Sequence, residues 1–291
     1  IYKEILDLYK NLPEINAEIL VGRMSGFQTV GKSKYQLADQ FKLTIHDVEL
    51  WIQNGIHYML AEISKNENNY LKDLEEMSIE VTGGAIVSGS FQGYHQDYFA
   101  DAISELGNHF VGITQLPFDT TNEEILKLND IGIKGIRFNL YRGLSASPKE
   151  IKELSERVYK LCNWKTELYL NLQTIDKDLE ELIFTLPKVS IDHLGMQKCS
   201  MDKLKKIVNA DVPIRLTGFG RVGYERDEIR ELITILYREN PNSLIFGSDL
   251  PSTRAKYRFS YDDIQLIKET VSKEAQDRIF FQNGENWYLH K

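Results

Sequence analysis

The stretch Ser243-Leu-Ile-Phe-Gly-Ser-Asp-Leu-Pro251 is a short apolar run that ends in an acid and then a turn-forming proline. An earlier stretch, Val189-Ser-Ile-Asp-His-Leu-Gly195, has the same design, with a histidine and a glycine at its end. Buried parallel strands read as continuous apolar runs, and polar residues at their carboxyl ends line the open mouth of the sheet. The two stretches therefore predict that His193 and Asp249 lie at the same end of one sheet.

Similar apolar runs recur along most of the chain, and a helical pattern follows each of them. From residue 83 onward they predict seven strands, at 83–89, 110–116, 134–140, 167–172, 189–191, 212–217 and 244–247. Repeated strand–helix units give parallel strands with right-handed crossovers, and eight such units close a barrel. We predict an α/β protein with a (β/α)8 TIM barrel over residues 55–291, its first strand at 55–60. An open doubly wound sheet is the alternative, which the lack of a glycine-rich phosphate fingerprint makes less favourable.

The composition excludes several classes of protein. The chain has 291 residues, of which 42% are hydrophobic and 27% charged, as in an ordinary globular protein. Its net charge of −8 argues against binding to nucleic acid or an anionic membrane. No apolar run has the length of a membrane span or the form of a signal peptide. Because the two cysteines, Cys162 and Cys199, follow no recognisable pattern, we expect free thiols and a cytoplasmic location.

His193 and Asp249 are the candidate catalytic residues. An acid that follows Ile-Phe-Gly-Ser is costly to bury unless it is paired, bound to a ligand or used in chemistry. Asp249 is suited to take a proton from water as that water attacks a carbonyl group. Two alternatives stay open: a histidine satisfied by hydrogen bonds inside the core, and an aspartate that caps the following turn.

Polar residues on two other predicted strands form a candidate substrate-binding group. Arg137 and Asn139 are two residues apart and therefore share a strand face. An arginine inside a barrel requires an anion, and its planar guanidinium fits a carboxylate. We predict a small molecule that carries carboxylates as the partner, with structural ion pairs as the alternative. The full candidate group is Arg137, Asn139, Arg142, Arg215 and Arg221.

Five motifs, taken in order, resemble the amidohydrolase superfamily, in the amidohydrolase-2 branch that includes the 2-pyrone-4,6-dicarboxylate lactonase type. The motifs are Gly-Ile-Lys-Gly-Ile-Arg-Phe-Asn (132–139), Ile-Asp-His-Leu-Gly (191–195), Arg-Leu-Thr-Gly (215–218), Phe-Gly-Ser-Asp-Leu-Pro (246–251) and Gln-Asn-Gly-Glu-Asn-Trp-Tyr (282–288). The resemblance implies a (β/α)8 barrel with His193 after strand six and Asp249 after strand eight. It also implies hydrolysis by water that Asp249 helps to activate. In lactonase-like members the metal is dispensable and arginines hold substrate carboxylates; Arg137 matches such a position, and Arg142 and Arg215 match more loosely.

The chain departs from the family at the metal motif. The family's first strand carries Asp-x-His-x-His, whereas Gly55-Ile-His-Tyr-Met59 would keep only His57. A catalytic zinc generally has three protein ligands, which would here be His193, Asp249 and His57 if a metal is bound. The sequence thus leaves two alternatives: the protein has no cofactor, or it binds one divalent metal such as Zn.

The leading prediction is a hydrolase that acts on a small carboxylated lactone, ester or amide. A barrel that has lost catalysis and senses a ligand is the alternative from another class. Decarboxylation is a third reading, which the incomplete metal motif makes less favourable.

Residues 1–54 do not show the strand–helix pattern. They predict a helical segment in which two short helices flank a turn at 42–44, similar to the helix-turn-helix of sigma-factor region 4. The segment carries six Lys or Arg and seven Asp or Glu, and Asp47 and Glu49 fall on the would-be recognition helix. Acids at those positions would repel DNA phosphates. We therefore expect a helical cap on the barrel or a dimerisation element, with a homo-oligomer as one possible assembly.

Overall fold

Parallel strands in chain order form the sheet. The computed structural model describes residues 67–89, 92–141, 146–252 and 255–289. Within them the strands are β1 (Gly84–Val87), β2 (Phe110–Thr114), β3 (Ile133–Asn139), β4 (Lys165–Tyr169), β5 (Val189–Ile191), β6 (Ile214–Leu216) and β7 (Leu244–Phe246). Each strand pairs in parallel with the next, in the order β1 to β7. This is the (β/α)8 TIM-barrel fold.

Helices connect the strands and continue after the last of them. They are α1 (Glu67–Glu76), α2 (Tyr98–Leu106), α3 (Asn122–Asp130), α4 (Pro148–Cys162), α5 (Lys177–Ile183), α6 (Met201–Asn209), α7 (Arg226–Glu239), α8 (Tyr261–Thr270), α9 (Lys273–Asp277) and α10 (Asn283–Tyr288). A π-helical turn at Arg278–Gln282 joins α9 to α10, and a 3-10 turn at His193–Gly195 follows β5. None of the described helices is long and apolar enough to cross a membrane.

Local sequence explains where these elements begin and end. The helix α4 starts at a capping box, in which Ser147 and Glu150 satisfy each other's backbone N–H groups, and Pro148 occupies the first turn. It ends at Asn163, which adopts a left-handed conformation. The strand β5 has the predicted bounds, 189–191. The sequence analysis did not predict the helical segments after residue 271.

The predicted strand at 167–172 shows why other bounds differ from the structure. The observed strand β4 runs from Lys165 to Tyr169. Leu170 and Leu172 stay fully buried after backbone pairing has stopped. An apolar run therefore marks burial, whereas the ends of a strand depend on its partners.

Two clusters of apolar side chains lie on opposite faces of the sheet. The larger one fills the layer between strands and helices, and includes Phe99, Ile136, Ile151, Leu168, Ile214, Ile233 and Ile267. The smaller one consists of Val111, Ile113, Ile245, Trp287 and Tyr288. It joins β2 to β7, which are five places apart in the strand order, so the sheet curls around it. Aromatic side chains of α10 fill the concave side of the sheet.

Contacts group Lys72–Ser90 and Tyr94–Lys291 into one compact unit, which contains both His193 and Asp249. The predicted helical segment 1–54, the predicted strand 55–60, His57 and Arg142 lie outside the described residues. The expectations attached to them stay predictions.

Candidate functional site

The carboxyl ends of β5 and β7 carry two candidate residues in unusual backbone conformations. His193 follows β5 with a φ of 47°, and Asp249 follows β7 with a φ of 55°. Residues other than glycine rarely adopt positive φ, and such conformations cluster at functional sites. Leu194 and Met196 also have positive φ, of 52° and 68°. The chain thus turns sharply after β5, immediately beyond the strand end.

His193 and Asp249 face each other at this mouth. The Nε2 atom of His193 lies 3.9 Å from Oδ1 of Asp249, and the two side chains are 6% and 16% exposed. This separation is too long for a direct hydrogen bond, so both atoms can serve one small molecule between them. Nε2 is buried and has no hydrogen-bond partner in the described part of the chain. The guanidinium of Arg221 pairs with the other side of the carboxylate, with Nη2 2.8 Å from Oδ2.

The segment after β6 completes this arrangement. The hydroxyl oxygen of Thr217 lies 2.7 Å from Nδ1 of His193. The next residue, Gly218, has a φ of +62°. A Cβ atom at Gly218 would stand 2.9 Å from Nδ1 of His193 and 3.0 Å from Oδ2 of Asp249. Only a residue without a side chain fits there, because the imidazole and the carboxylate approach its backbone so closely.

A buried ion pair lies next to the imidazole. Arg137 on β3 donates from Nε to Oδ2 of Asp192 at 2.8 Å, and its Nη2 lies 2.7 Å from the same oxygen. Its Nη1 donates to the backbone carbonyl of Ser88 at 3.0 Å. The guanidinium also lies over the ring of Tyr169, 4.5 Å from the centroid. Arg137 is therefore engaged by groups of the protein itself.

A second buried pair lies on the concave face of the sheet. Arg215 on β6 pairs with Glu167 on β4, which is fully buried, and its Nε lies 3.2 Å from Oδ1 of Asp192. The hydroxyl of Tyr288 donates to Glu167 at 2.8 Å. Asp192 thus links the two arginines of β3 and β6, and α10 is tied into the same network. Two arginines and two acids balance each other in the interior.

Burial and neighbouring charges shift the pKa values of these groups. Burial lowers the pKa of His193 to about 3, against the opposing effect of Asp192, so the imidazole is neutral at pH 7. Burial raises the pKa of Asp249 to about 6, although the guanidinium of Arg221 opposes the rise. Burial also raises the pKa of Glu167, with Arg215 again opposing. Burial would raise the pKa of Asp192 as well, but the two guanidinium groups outweigh it, and the pKa lies below its usual value.

The structure brings three of the predicted residues into direct contact: His193, Asp249 and Arg221. Arg137 and Arg215 form ion pairs with Asp192 and Glu167, the alternative that the sequence analysis had left open. Their role as substrate ligands stays a prediction, as does that of Asn139, which is buried beside Arg137 on β3.

Sequence reasoning missed several residues of this site. They are Asp192, Glu167, Thr217, Gly218, Tyr169 and Tyr288. The ring of Tyr169 packs edge-on against His193, with centroids 5.1 Å apart. Its buried hydroxyl makes no hydrogen bond to another described residue. Of these residues, Glu167 could have been found from the sequence, because a glutamate within an apolar strand indicates a buried ionic partner.

The described residues do not fit a bound metal ion. No three His, Cys, Asp or Glu side chains among them are arranged to hold one. His193 and Asp249 supply two donors, and the cationic Arg221 already contacts the carboxylate. A zinc site generally needs three protein ligands, and a positive group beside one of them opposes a second cation. The chemistry of this site is therefore derived from its side chains and water alone.

Comparison with known proteins gives relatives that share this fold. No family model matches the chain. A 2-pyrone-4,6-dicarboxylate hydrolase from Comamonas testosteroni is 23% identical over 229 residues, which cover 70% of this chain and 74% of the relative. The structure of a probable 2-pyrone-4,6-dicarboxylic acid hydrolase from Acinetobacter baumannii, with citric acid bound, superposes with a TM-score of 0.64 and 26% identity. It covers 76% of this chain and 88% of that protein.

A third protein of known structure shares the fold. The structure of amidohydrolase 2 from Bifidobacterium longum subsp. infantis has a TM-score of 0.55 and 17% identity, over 77% of this chain and 86% of that protein, and shows the shared fold. The fold, the strand-end residues and these relatives define an enzyme of the amidohydrolase type. Within that superfamily, the chain is similar to the amidohydrolase-2 branch and to its 2-pyrone-4,6-dicarboxylate hydrolases.

Proposed function

We propose that this protein hydrolyses a small carboxylated lactone, ester or amide with water that Asp249 activates. The observation that carries the proposal is the placement of Nε2 of His193 3.9 Å from Oδ1 of Asp249, at the carboxyl ends of β5 and β7. Nε2 is buried without a hydrogen-bond partner among the described residues, and both atoms are close enough to act on one small reacting group. The relatives named as dicarboxylate hydrolases support a carboxylated substrate.

In the proposed reaction Asp249 acts first as a base and then as an acid. Its carboxylate accepts a proton from water while the water oxygen bonds to the substrate carbonyl carbon. The carbonyl π electrons move to the oxygen, and His193 stabilises the oxyanion as a hydrogen-bond donor. When the intermediate collapses, the bond to the leaving oxygen or nitrogen breaks, and Asp249 returns the proton to that atom. The net change is addition of one water, with no oxidant or cofactor.

The pKa shifts suit these roles. A general base works best when its pKa is near the working pH, and the pKa of Asp249 is raised to about 6. His193, with a pKa of about 3, is neutral and cannot compete with Asp249 for the proton of water. Neutral imidazole offers one N–H and one lone pair, so it can polarise a carbonyl as a hydrogen-bond donor.

The substrate carboxylates need cationic partners near the mouth. Arg221 is the predicted arginine in direct contact with Asp249, and we propose it as the first contact of a substrate carboxylate. Arg137 and Asn139 lie deeper on β3, where Arg137 is already paired with Asp192. If Arg137 also binds substrate, it does so as part of that pair.

The test is turnover of a panel of carboxylated lactones, esters and amides by the wild type and by Asp249→Asn. We expect the variant to lose turnover by a factor of about 10³ or more while it still binds substrate or product, as measured by calorimetry. The matched control is Asp227→Asn, since Asp227 lies on the solvent side of α7 with its side chain fully exposed. That control should keep wild-type rates.

Two results would count against the proposal. Full activity of Asp249→Asn would remove the base from the mechanism. Binding of carboxylated ligands without turnover by the wild type would favour the alternative, a barrel that senses a ligand.

A further inference from the structure

The hydroxyl of Thr217 has a single hydrogen bond among the described residues, the 2.7 Å contact to Nδ1 of His193. A neutral imidazole carries its proton on one nitrogen only. If the hydroxyl donates to Nδ1, the proton is on Nε2 and points into the gap beside Asp249. If Nδ1–H donates to the hydroxyl, Nε2 presents a lone pair to that gap. The two tautomers have opposite chemical uses, as a hydrogen-bond donor or as a base.

We propose that Thr217 is a positioning residue that donates to Nδ1 and so holds His193 as the Nε2–H tautomer. The group on the far side of the ring favours this arrangement. Oδ1 of Asp249 lies 3.9 Å from Nε2, where a carboxylate attracts an N–H and repels a lone pair. Gly218 leaves room for the ring in this position, because a Cβ atom there would stand 2.9 Å from Nδ1.

The same geometry makes Thr217 difficult to replace in this role. Within the described chain, Nδ1 of His193 makes one hydrogen bond, and its partner is the Thr217 hydroxyl. No backbone N–H of the described residues takes that place. The ring is otherwise held by packing, with Tyr169 edge-on at 5.1 Å. Packing fixes the plane of the imidazole but does not select a tautomer. The hydroxyl of Thr217, donating to Nδ1, and the carboxylate of Asp249 beside Nε2 together favour the Nε2–H tautomer.

The inference rests on the proposed function for its catalytic meaning. In that reaction Nε2–H is the donor that meets the developing oxyanion, and a single donor of this kind contributes a factor of about 10² to 10³ in kcat. Metal binding would demand the opposite arrangement. A histidine that binds a metal through Nε2 donates its Nδ1–H to a neighbouring acceptor.

The experiment is nitrogen NMR of the full chain labelled with 15N-histidine, at pH 7, with His193→Gln used only to identify the His193 signals. We expect a protonated Nε2 and an unprotonated Nδ1 in the wild type and in Thr217→Ser, which keeps the hydroxyl. Thr217→Val has a similar shape without the hydroxyl. It should show a mixture of tautomers, and its kcat should fall by a factor of about 10 to 100 with KM within about threefold.

Several results would overturn the inference. A wild-type spectrum with the proton on Nδ1 would do so by itself, even if no variant at position 217 folds. So would Thr217→Val that keeps both the wild-type tautomer and the wild-type kcat. The NMR result does not depend on turnover. If Thr217→Val changes the tautomer and Asp249→Asn remains active, the positioning role stands and the proposed reaction fails.

Discussion

The Nη2 atom of Arg221 lies 2.8 Å from Oδ2 of Asp249, and yet the pKa of that carboxyl is raised to about 6. Burial at the mouth of the sheet therefore outweighs the nearby cation. A carboxyl group in this state is ionised at pH 7 but still holds a proton well enough to pass it on. The pair is thus suited to acid–base chemistry, whereas an exposed ion pair would keep its carboxylate permanently charged.

The pH dependence of turnover follows from this pKa. Asp249 must be ionised to accept a proton from water, so kcat/KM should rise with pH through about 6 and then level off. His193, with a pKa of about 3, adds no second inflection between pH 5 and 8. The measurement is kcat/KM over that range in buffers of constant ionic strength. A flat profile, or a decrease with rising pH, would contradict the role of Asp249 as the base.

The stability of Asp249→Asn should depend on pH as well. The pKa of Asp249 is raised from 3.8 to about 6 on folding. Below pH 3.8 the carboxyl group is protonated in both the folded and the unfolded protein and costs no stability. As pH rises through 3.8 to about 6, the group ionises in the unfolded protein before it does so in the folded protein, and the folded protein loses stability. Asparagine mimics the protonated form. We therefore expect the variant to be more stable than the wild type at pH 8, by about 3 kcal/mol, and within about 1 kcal/mol of it at pH 4.

Urea unfolding at the two pH values measures this difference. The control is again Asp227→Asn, whose side chain is fully exposed and which should change stability by less than about 1 kcal/mol at either pH. Equal stability of Asp249→Asn and wild type at pH 8 would mean that burial does not raise the pKa of Asp249 in the folded protein.

The sequence predicted which polar residues follow the strands better than it predicted the contacts between side chains of different strands. Buried parallel strands leave an unmistakable pattern of apolar residues, and the positions of His193 and Asp249 after such runs follow from that pattern. The partners of Arg137 and Arg215 do not, because Asp192 and Glu167 are contributed by other strands. Which interior residues meet depends on strand register and curl, and a single sequence carries no direct record of either.

Thr217 and Gly218 were overlooked for a different reason. They were part of a motif, but a small residue reveals its role only through what lies next to it. The constraint on Gly218 comes from His193 and Asp249, which are 25 and 31 residues away in the chain. The aromatic contribution of α10 was missed because a short helix at the end of the chain gives no periodic signal.

The buried ion pair of Arg137 and Asp192 should be important for stability. Arg137→Met removes both short contacts to Oδ2 of Asp192 and leaves a buried carboxylate with Arg215 as its remaining cation. We expect a loss of about 3 kcal/mol in the free energy of unfolding. Arg137→Met combined with Asp192→Asn should recover part of that loss, because the unpaired charge is gone.

Urea denaturation of the two single variants and the double variant tests this coupling. Lys149→Met is the matched control, because Lys149 forms a pair with Glu153 in which both side chains are exposed, at 82% and 66%. It should leave stability unchanged, since exposed pairs of this kind contribute little. A loss below about 1 kcal/mol for Arg137→Met would mean that Arg215 alone compensates the buried carboxylate of Asp192.

Gly218→Ala should reduce activity far more than it reduces stability. The added methyl group would lie 2.9 Å from Nδ1 of His193 and 3.0 Å from Oδ2 of Asp249, so both side chains must move. Displacing reacting groups by about 1 Å can cost a factor of about 10² in rate, whereas alanine at a positive φ costs about 1 kcal/mol in stability. Gly93 provides the matched control, with a φ of +55° and nothing within 4 Å of an added Cβ among the described residues. Gly93→Ala should share the stability loss and keep wild-type kcat. Equal rates for the two variants would show that the space above Gly218 is not needed by His193 and Asp249 during the reaction.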